Sequence, residues 1–163
     1  MHTRAITVDV DLGGGRRVRG EVFLHDAAAA HDGDENILDL MNDEASFFPL
    51  RVTTPTPSTV LVAKAHVQAM VVPPLAQSPR IVLERETSAQ FDVTLELDDG
   101  VSVSGKVFVE TPPGRQRPLD FFNAAKSGFF AVTQPDHDVL VNRARVHLVH
   151  DAASLSERPP HLT

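Results

Sequence analysis

Residues 8–24, VDVDLGGGRRVRGEVFL, and residues 93–109, VTLELDDGVSVSGKVFV, align without a gap at a constant offset of 85. Seven of the seventeen positions are identical: Val8/Val93, Leu12/Leu97, Gly15/Gly100, Val18/Val103, Gly20/Gly105, Val22/Val107 and Phe23/Phe108. Residues kept in both copies of a duplication are those that one unit needs to fold. Along each copy the apolar period is two, the signature of half-buried strands. Val8, Val10 and Leu12 alternate with polar residues, GGG turns the chain, and Val18, Gly20, Val22 and Leu24 continue the alternation. The second copy does the same with Val93, Leu95 and Leu97, then DDG, then Val103, Gly105, Val107 and Val109. Each copy is therefore an antiparallel hairpin. Gly20 and Gly105 stand inside strands, where the lack of a side chain marks a bend or a close backbone approach. Phe23 and Phe108, past that bend, are expected to pack in the core.

Working outward, ILDLMNDEASFFPL (37–50) resembles PLDFFNAAKSGFFAV (118–132). Leu38-Asp39 pair with Leu119-Asp120, Asn42 with Asn123, and Phe47-Phe48 with Phe129-Phe130 after a slip of one residue. Apolar residues at helical spacing around an acid predict a short helix from about Ile37 to Glu44 and from about Leu119 to Lys126. Asn42 and Asn123 would end these helices in a left-handed or capping conformation. Asp39 and Asp120 are expected to cap or to face solvent. The Phe pairs open a third strand. Adjacent strand residues face opposite ways, so one Phe of each pair should enter the core and the other face a neighbour, a helix or a partner.

Finally, VLVAKAHVQAMV (60–71) matches VLVNRARVHLVH (139–150), with Lys64 opposite Arg143. Each is a strand, a basic turn and a closing strand. The reading is mainly β: two tandem small antiparallel β-barrels, each with a short helix between its second and third strands. The first spans 1–74 and the second 88–152, with a Pro-containing linker at 75–87 and a flexible tail at 153–163. Within the linker, RIVLERE (80–86) places Ile81 and Leu83 on one face and predicts a strand. Units of about 65 residues lie near the lower limit for independent folding, so the copies are expected to support each other.

Composition narrows the class. The chain has 163 residues, 42% hydrophobic and 23% charged, the proportions of an ordinary globular protein. No apolar run is long enough to span a membrane, and MHTRAITVDV lacks the apolar core of a secretion signal. With no cysteine there is no disulfide or thiolate chemistry, and cytoplasm is the expected compartment. A formal net charge of −7 disfavours nucleic acid as a partner, because phosphate neutralisation needs the opposite sign. The cluster Arg16, Arg17, Arg19 is replaced by Val101, Ser102 and Ser104 in the second copy, so no shared basic face is visible.

The V-x-V-x-L-x-x-G pattern, the glycine inside the second strand and the turn-linked last strands resemble the Sm-like and SH3-like small β-barrels. Lys64, His66 and Val71-Val72-Pro73 are similar to the closing strands of the bacterial RNA chaperone Hfq, although Ala65 separates the first two and copy two has Arg143 and Arg145. Leu38-Asp39 and Asn42 followed by Phe47-x-x-Leu50 resemble an uncharacterised bacterial small-barrel domain family. These likenesses imply a fold. The Hfq likeness further implies an RNA-binding, pseudo-symmetric ring with Lys64 and Arg143 near its pore.

No motif supports catalysis or a cofactor. Asp39 and Ser46, with counterparts Asp120 and Ser127, lack a histidine recurring at a matching position. GGG at 13–15 lacks the Lys-Ser or Lys-Thr of a phosphate loop, and HDGDEN lacks calcium-ligand spacing. The histidines, among them His25, His31, His147 and His150, form no metal pattern. Arg16, Arg17 and Arg19 are similar to the arginines of PilZ nucleotide sensors, but the partner Asp/Asn-x-Ser-x-x-Gly is absent. The expected function is a non-catalytic binding or scaffolding module, acting on a protein partner or by self-association. Its candidate interaction residues are Phe47, Phe48, Phe129, Phe130, Lys64 and Arg143. The structural residues are Gly20, Gly105, Asp39, Asp120, Asn42 and Asn123.

Overall fold

The computed structural model describes residues 3–25, 35–109, 118–124 and 128–151. The tail at 153–163, most of the loop 26–36 and most of the loop 110–118 lie outside the described residues. The quoted hairpins form β1 (Thr3–Asp11) with β2 (Arg17–His25), and β6 (Ala89–Leu97) with β7 (Ser102–Val109). Their registers correspond, Val8 facing Gly20 as Val93 faces Gly105.

After the first hairpin come α1 (Ile37–Asn42), β3 (Phe47–Val52), β4 (Ser58–Ala63), a 3-10 turn at Lys64–His66 and β5 (Ala69–Val72). After the second come α3 (Pro118–Ala124), β8 (Phe129–Thr133), β9 (Asp138–Asn142), a 3-10 turn at Arg143–Arg145 and β10 (Val146–Asp151). All ten strands form one antiparallel sheet in the order β10-β6-β7-β8-β9-β5-β1-β2-β3-β4. The fold is mainly β, and the sheet is not closed. Its halves meet where β5 runs antiparallel to β9, with Ala69 opposite Val141 and Val72 opposite Asp138.

Gly20 and Gly105 allow each half to curl. A Cβ on Gly20 would lie 2.6 Å from the Arg51 carbonyl oxygen and 2.8 Å from Leu50 Cγ. One on Gly105 would lie 2.5 Å from the Thr133 oxygen and 2.7 Å from Val132 Cγ1. No side chain fits either gap, so β2 and β7 cross close over β3 and β8. Beneath them lie two apolar clusters that exchange residues across the junction: Phe129 and Leu140 join Val8, Leu24 and Leu50, while Ala69 joins Leu95, Val107 and Val132. Burying such side chains supplies roughly 1.5–3 kcal/mol each.

Two expectations need correction. RIVLERE is not a strand but most of α2 (Pro79–Glu86). Proline at the first helical position is pre-organised for a helix, and Arg80 and Glu84 sit four apart and pair at 2.6 Å. Only Ile81 of its apolar residues is buried; Val82 and Leu83 are exposed. Phe23 and Phe108 are not core residues either. Strand alternation turns Val22, Leu24, Val107 and Val109 inward, leaving Phe23 exposed and Phe108 half-buried beneath the Arg85 guanidinium at 4.5 Å.

Candidate interaction surface

The two Phe pairs have different surroundings. Phe48 is buried in the first core, and Phe47 is 55% exposed. Phe129 and Phe130 are both buried. The difference comes from α1, which lies over the start of β8. Asn42 Nδ2 donates to the Phe129 carbonyl at 3.0 Å, and its Oδ1 accepts from the Phe129 N–H at 2.7 Å. Phe129 thereby joins the first half's core beside Ile37 and Met41. Asn42 is the last residue of α1 and no described non-glycine residue has a positive φ, so it serves as a clamp between halves and not as a left-handed cap. Asn123, its counterpart, is exposed on α3.

The matched cations turn inward. Lys64 is buried, with Nζ donating to the Leu40 carbonyl at 2.7 Å and to Asp43 Oδ1 at 2.6 Å. It adds a charge-assisted bond to the Leu40 carbonyl, which also accepts from the Asp43 N–H at 3.4 Å where α1 ends. Arg143 lies 4.7 Å from the Phe121 ring centroid and 4.8 Å from that of Phe130, with Phe122 at 5.7 Å. Burial pushes its guanidinium below its ordinary value. The surrounding rings offer their negative faces to the cation in place of the water it has lost.

Asp39 completes a capping box. Its carboxylate accepts from the Asn36 N–H at 2.9 Å, the Asn36 side chain accepts from the Asp39 N–H at 2.9 Å, and Arg80 approaches Asp39 to 3.5 Å. Asp120 occupies the first turn of α3. The Ser46 carbonyl accepts from the Lys64 N–H at 2.9 Å.

Asp138 and Asn142, two of the buried polar residues, stand at the two ends of β9. Asp138 Oδ2 accepts from the Leu75 N–H at 2.9 Å and from Arg85 at 3.3 Å. Asn142 Nδ2 donates to the Val67 carbonyl at 2.9 Å across the junction. Their counterparts are Thr59 and Ala63, so a search for shared residues passes over them. A polar residue at each end of the apolar run VLV was the available signal.

A cleft of about 520 Å³ is lined by Arg4, Leu24, Asn36, Pro74 and Arg80. There Asn36 caps α1, Arg80 pairs with Asp39 and Glu84, and Arg4 donates to the Glu35 carbonyl. Among the described residues no group of three acidic or histidine side chains is placed to hold a metal ion, and no helix is long and apolar enough to cross a membrane.

The remaining feature is the pair of sheet ends. No described strand pairs with the outer edge of β4 or of β10. Val60 and Leu61 on β4 are exposed, Leu61 at 70%, and so are Leu148 and Val149 on β10, Leu148 at 56%. Natural edges are usually blunted by charge, proline or a covering element, because free N–H and C=O groups recruit another strand. The strand STVLVA (58–63) contains neither charge nor proline. Comparison with protein-family models, curated proteins and solved structures finds no match for this chain.

Proposed function

We propose that this protein is a non-catalytic binding and scaffolding module, built of two small-barrel repeats of Sm-like or SH3-like type, that takes an extended protein segment along the edges of its sheet. The observation that carries this reading is the pair of sheet ends at β4 and β10, where no described strand pairs and Val60, Leu61, Leu148 and Val149 are exposed. An added strand gains main-chain hydrogen bonds for affinity, while Leu61 and Leu148 offer apolar contacts for specificity. Lys64 and Arg143, the cations on which an RNA-binding ring would draw, are engaged inside the protein, which favours a protein partner over RNA.

The test is selection of extended peptides from a displayed library, panned at high dilution on immobilised chain so that the edges are free. Selected peptides should bind the native chain and lose affinity by about tenfold or more on a Leu61→Lys, Leu148→Lys double variant. A library that yields only peptides indifferent to both substitutions overturns the reading.

A further inference from the structure

The two exposed edges are the counterparts of the two strands that already join the halves. Lys64 aligns with Arg143 at an offset of 79, and the ladders carry the same equivalence. Val71 faces Asp9 in the first half as His150 faces Thr94 in the second. Phe47 faces Ala63 as Phe129 faces Asn142. Strand β4 thus corresponds to β9, and β10 to β5. The internal junction uses one edge of each kind and leaves one of each kind at opposite ends of the sheet. A contact between unlike edges is heterologous, so the same geometry can be repeated with another copy.

Burial differs between several corresponding positions, although Val62 and Val141 are both buried. Val139 and Leu140 are buried at the junction, whereas Val60 and Leu61 are exposed at the end. Ala69 and Met70 are buried, whereas Leu148 and Val149 are exposed. Phe129 is buried under α1, whereas Phe47 is exposed. Leu38 of α1 packs against the first core, whereas Leu119, its counterpart on α3, is 60% exposed. In both halves the side chains suit the same contact, and only one of the two contacts is made within the chain.

Resting on the edge-binding reading above, we infer that the occupant of these edges is a second copy of this chain, joined head to tail. Strand β10 of one copy lies antiparallel along β4 of the next, in the register that β5 holds on β9. Leu148 then faces Val62, Val149 faces Leu61, His150 faces Val60 and Asp151 faces Thr59. Leu119 covers Phe47 of the next copy, and Asn123 takes the Phe47 backbone as Asn42 takes that of Phe129. The uncharged β4 offers no repulsion to the incoming strand. Ala63 stands where Asn142 would be, so the bonds that Asn142 gives to the Val67 and Lys64 carbonyls have no equivalent. The contact between copies is therefore weaker than the internal one and reversible on dilution.

Sedimentation velocity of the full chain over a concentration series tests this, with Leu61→Lys and Leu148→Lys as variants at exposed positions and circular dichroism to show that each is folded. The native chain should pass beyond the dimer as concentration rises. Each variant alone should be a monomer, and an equimolar mixture should give a one-to-one dimer and nothing larger, because each variant keeps one intact edge. Register is read independently, since the chain has no cysteine. Leu61→Cys mixed with Val149→Cys should form a disulfide-linked dimer on mild oxidation, and Leu61→Cys mixed with Leu148→Cys should not. A native chain that stays monomeric, a single variant that still dimerises, or crosslinking indifferent to register overturns the inference. If the native chain is monomeric yet its edges still capture displayed peptides, the edge-binding reading stands and only the second copy is ruled out.

Discussion

Replacing Gly20 with alanine tests why the same glycine recurs in both halves. The new Cβ would meet the Arg51 carbonyl oxygen at 2.6 Å, about 0.8 Å inside ordinary contact, and Leu50 Cγ at 2.8 Å. Neither neighbour yields easily, because one is backbone of β3 and the other is a fully buried side chain. Overpacking of this kind costs roughly 1–3 kcal/mol, and the reduced freedom of the unfolded chain returns about 0.4–1. The net loss should be about 1.3 kcal/mol, a fall in Tm of roughly 3–5 °C for a chain of this size. Gly105→Ala should match it, since its Cβ would sit 2.5 Å from the Thr133 oxygen. Urea unfolding followed by circular dichroism measures the loss, at one fixed protein concentration so that association does not enter. Gly14→Asn is the control: nothing lies within 4 Å and asparagine tolerates a φ of 62°. If Gly20→Ala and Gly105→Ala unfold within about 0.5 kcal/mol of the native chain, close approach is not the reason for these glycines.

Asn42→Ala removes both bonds to the Phe129 backbone and leaves a partly buried N–H and C=O unpaired, so calorimetry should show a loss of about 2 kcal/mol. Asn123→Ala, at an exposed position, should leave the stability of the dilute chain within about 0.5 kcal/mol. Asp138→Ala strands the partly buried Arg85 and the Leu75 N–H, and denaturant unfolding should register about 3 kcal/mol lost. A variant at Asp138 as stable as the native chain would show that the buried carboxylate contributes nothing net.

Much of the fold was legible because it is local. Alternation in VDVDL and VTLEL, GGG and DDG at the hairpin tips, and the glycines at 20 and 105 depend on neighbours in sequence or on the parity of one strand. The α2 segment is not legible in this way, because Ile81 and Leu83 mimic a strand pattern over too few residues. Proline at its start and the Arg80–Glu84 pair favour a helix that buries Ile81 alone. Phe23 lies outside the core because the bend at Gly20 covers the face of Leu24 and leaves the opposite face open.

The candidate surface was less legible. Phe47 and Phe129 align, yet one is exposed and the other buried, because what covers Phe129 is α1 of the other half. Lys64 and Arg143 align as cations, and their engagement appears only once Asp43, Leu40 and the Phe121, Phe122 and Phe130 rings come within reach.

By itself the sequence determined the strands of each hairpin and the tight glycine crossings, since each follows from side-chain parity and backbone sterics over a short stretch. Only the tertiary structure decided that β5 pairs with β9 of the other half, that the sheet stays open, and which apolar residues remain at its ends. The backbone groups that pair two edges are the same N–H and C=O at every residue, so which edge meets which is chosen by how two already folded halves fit together.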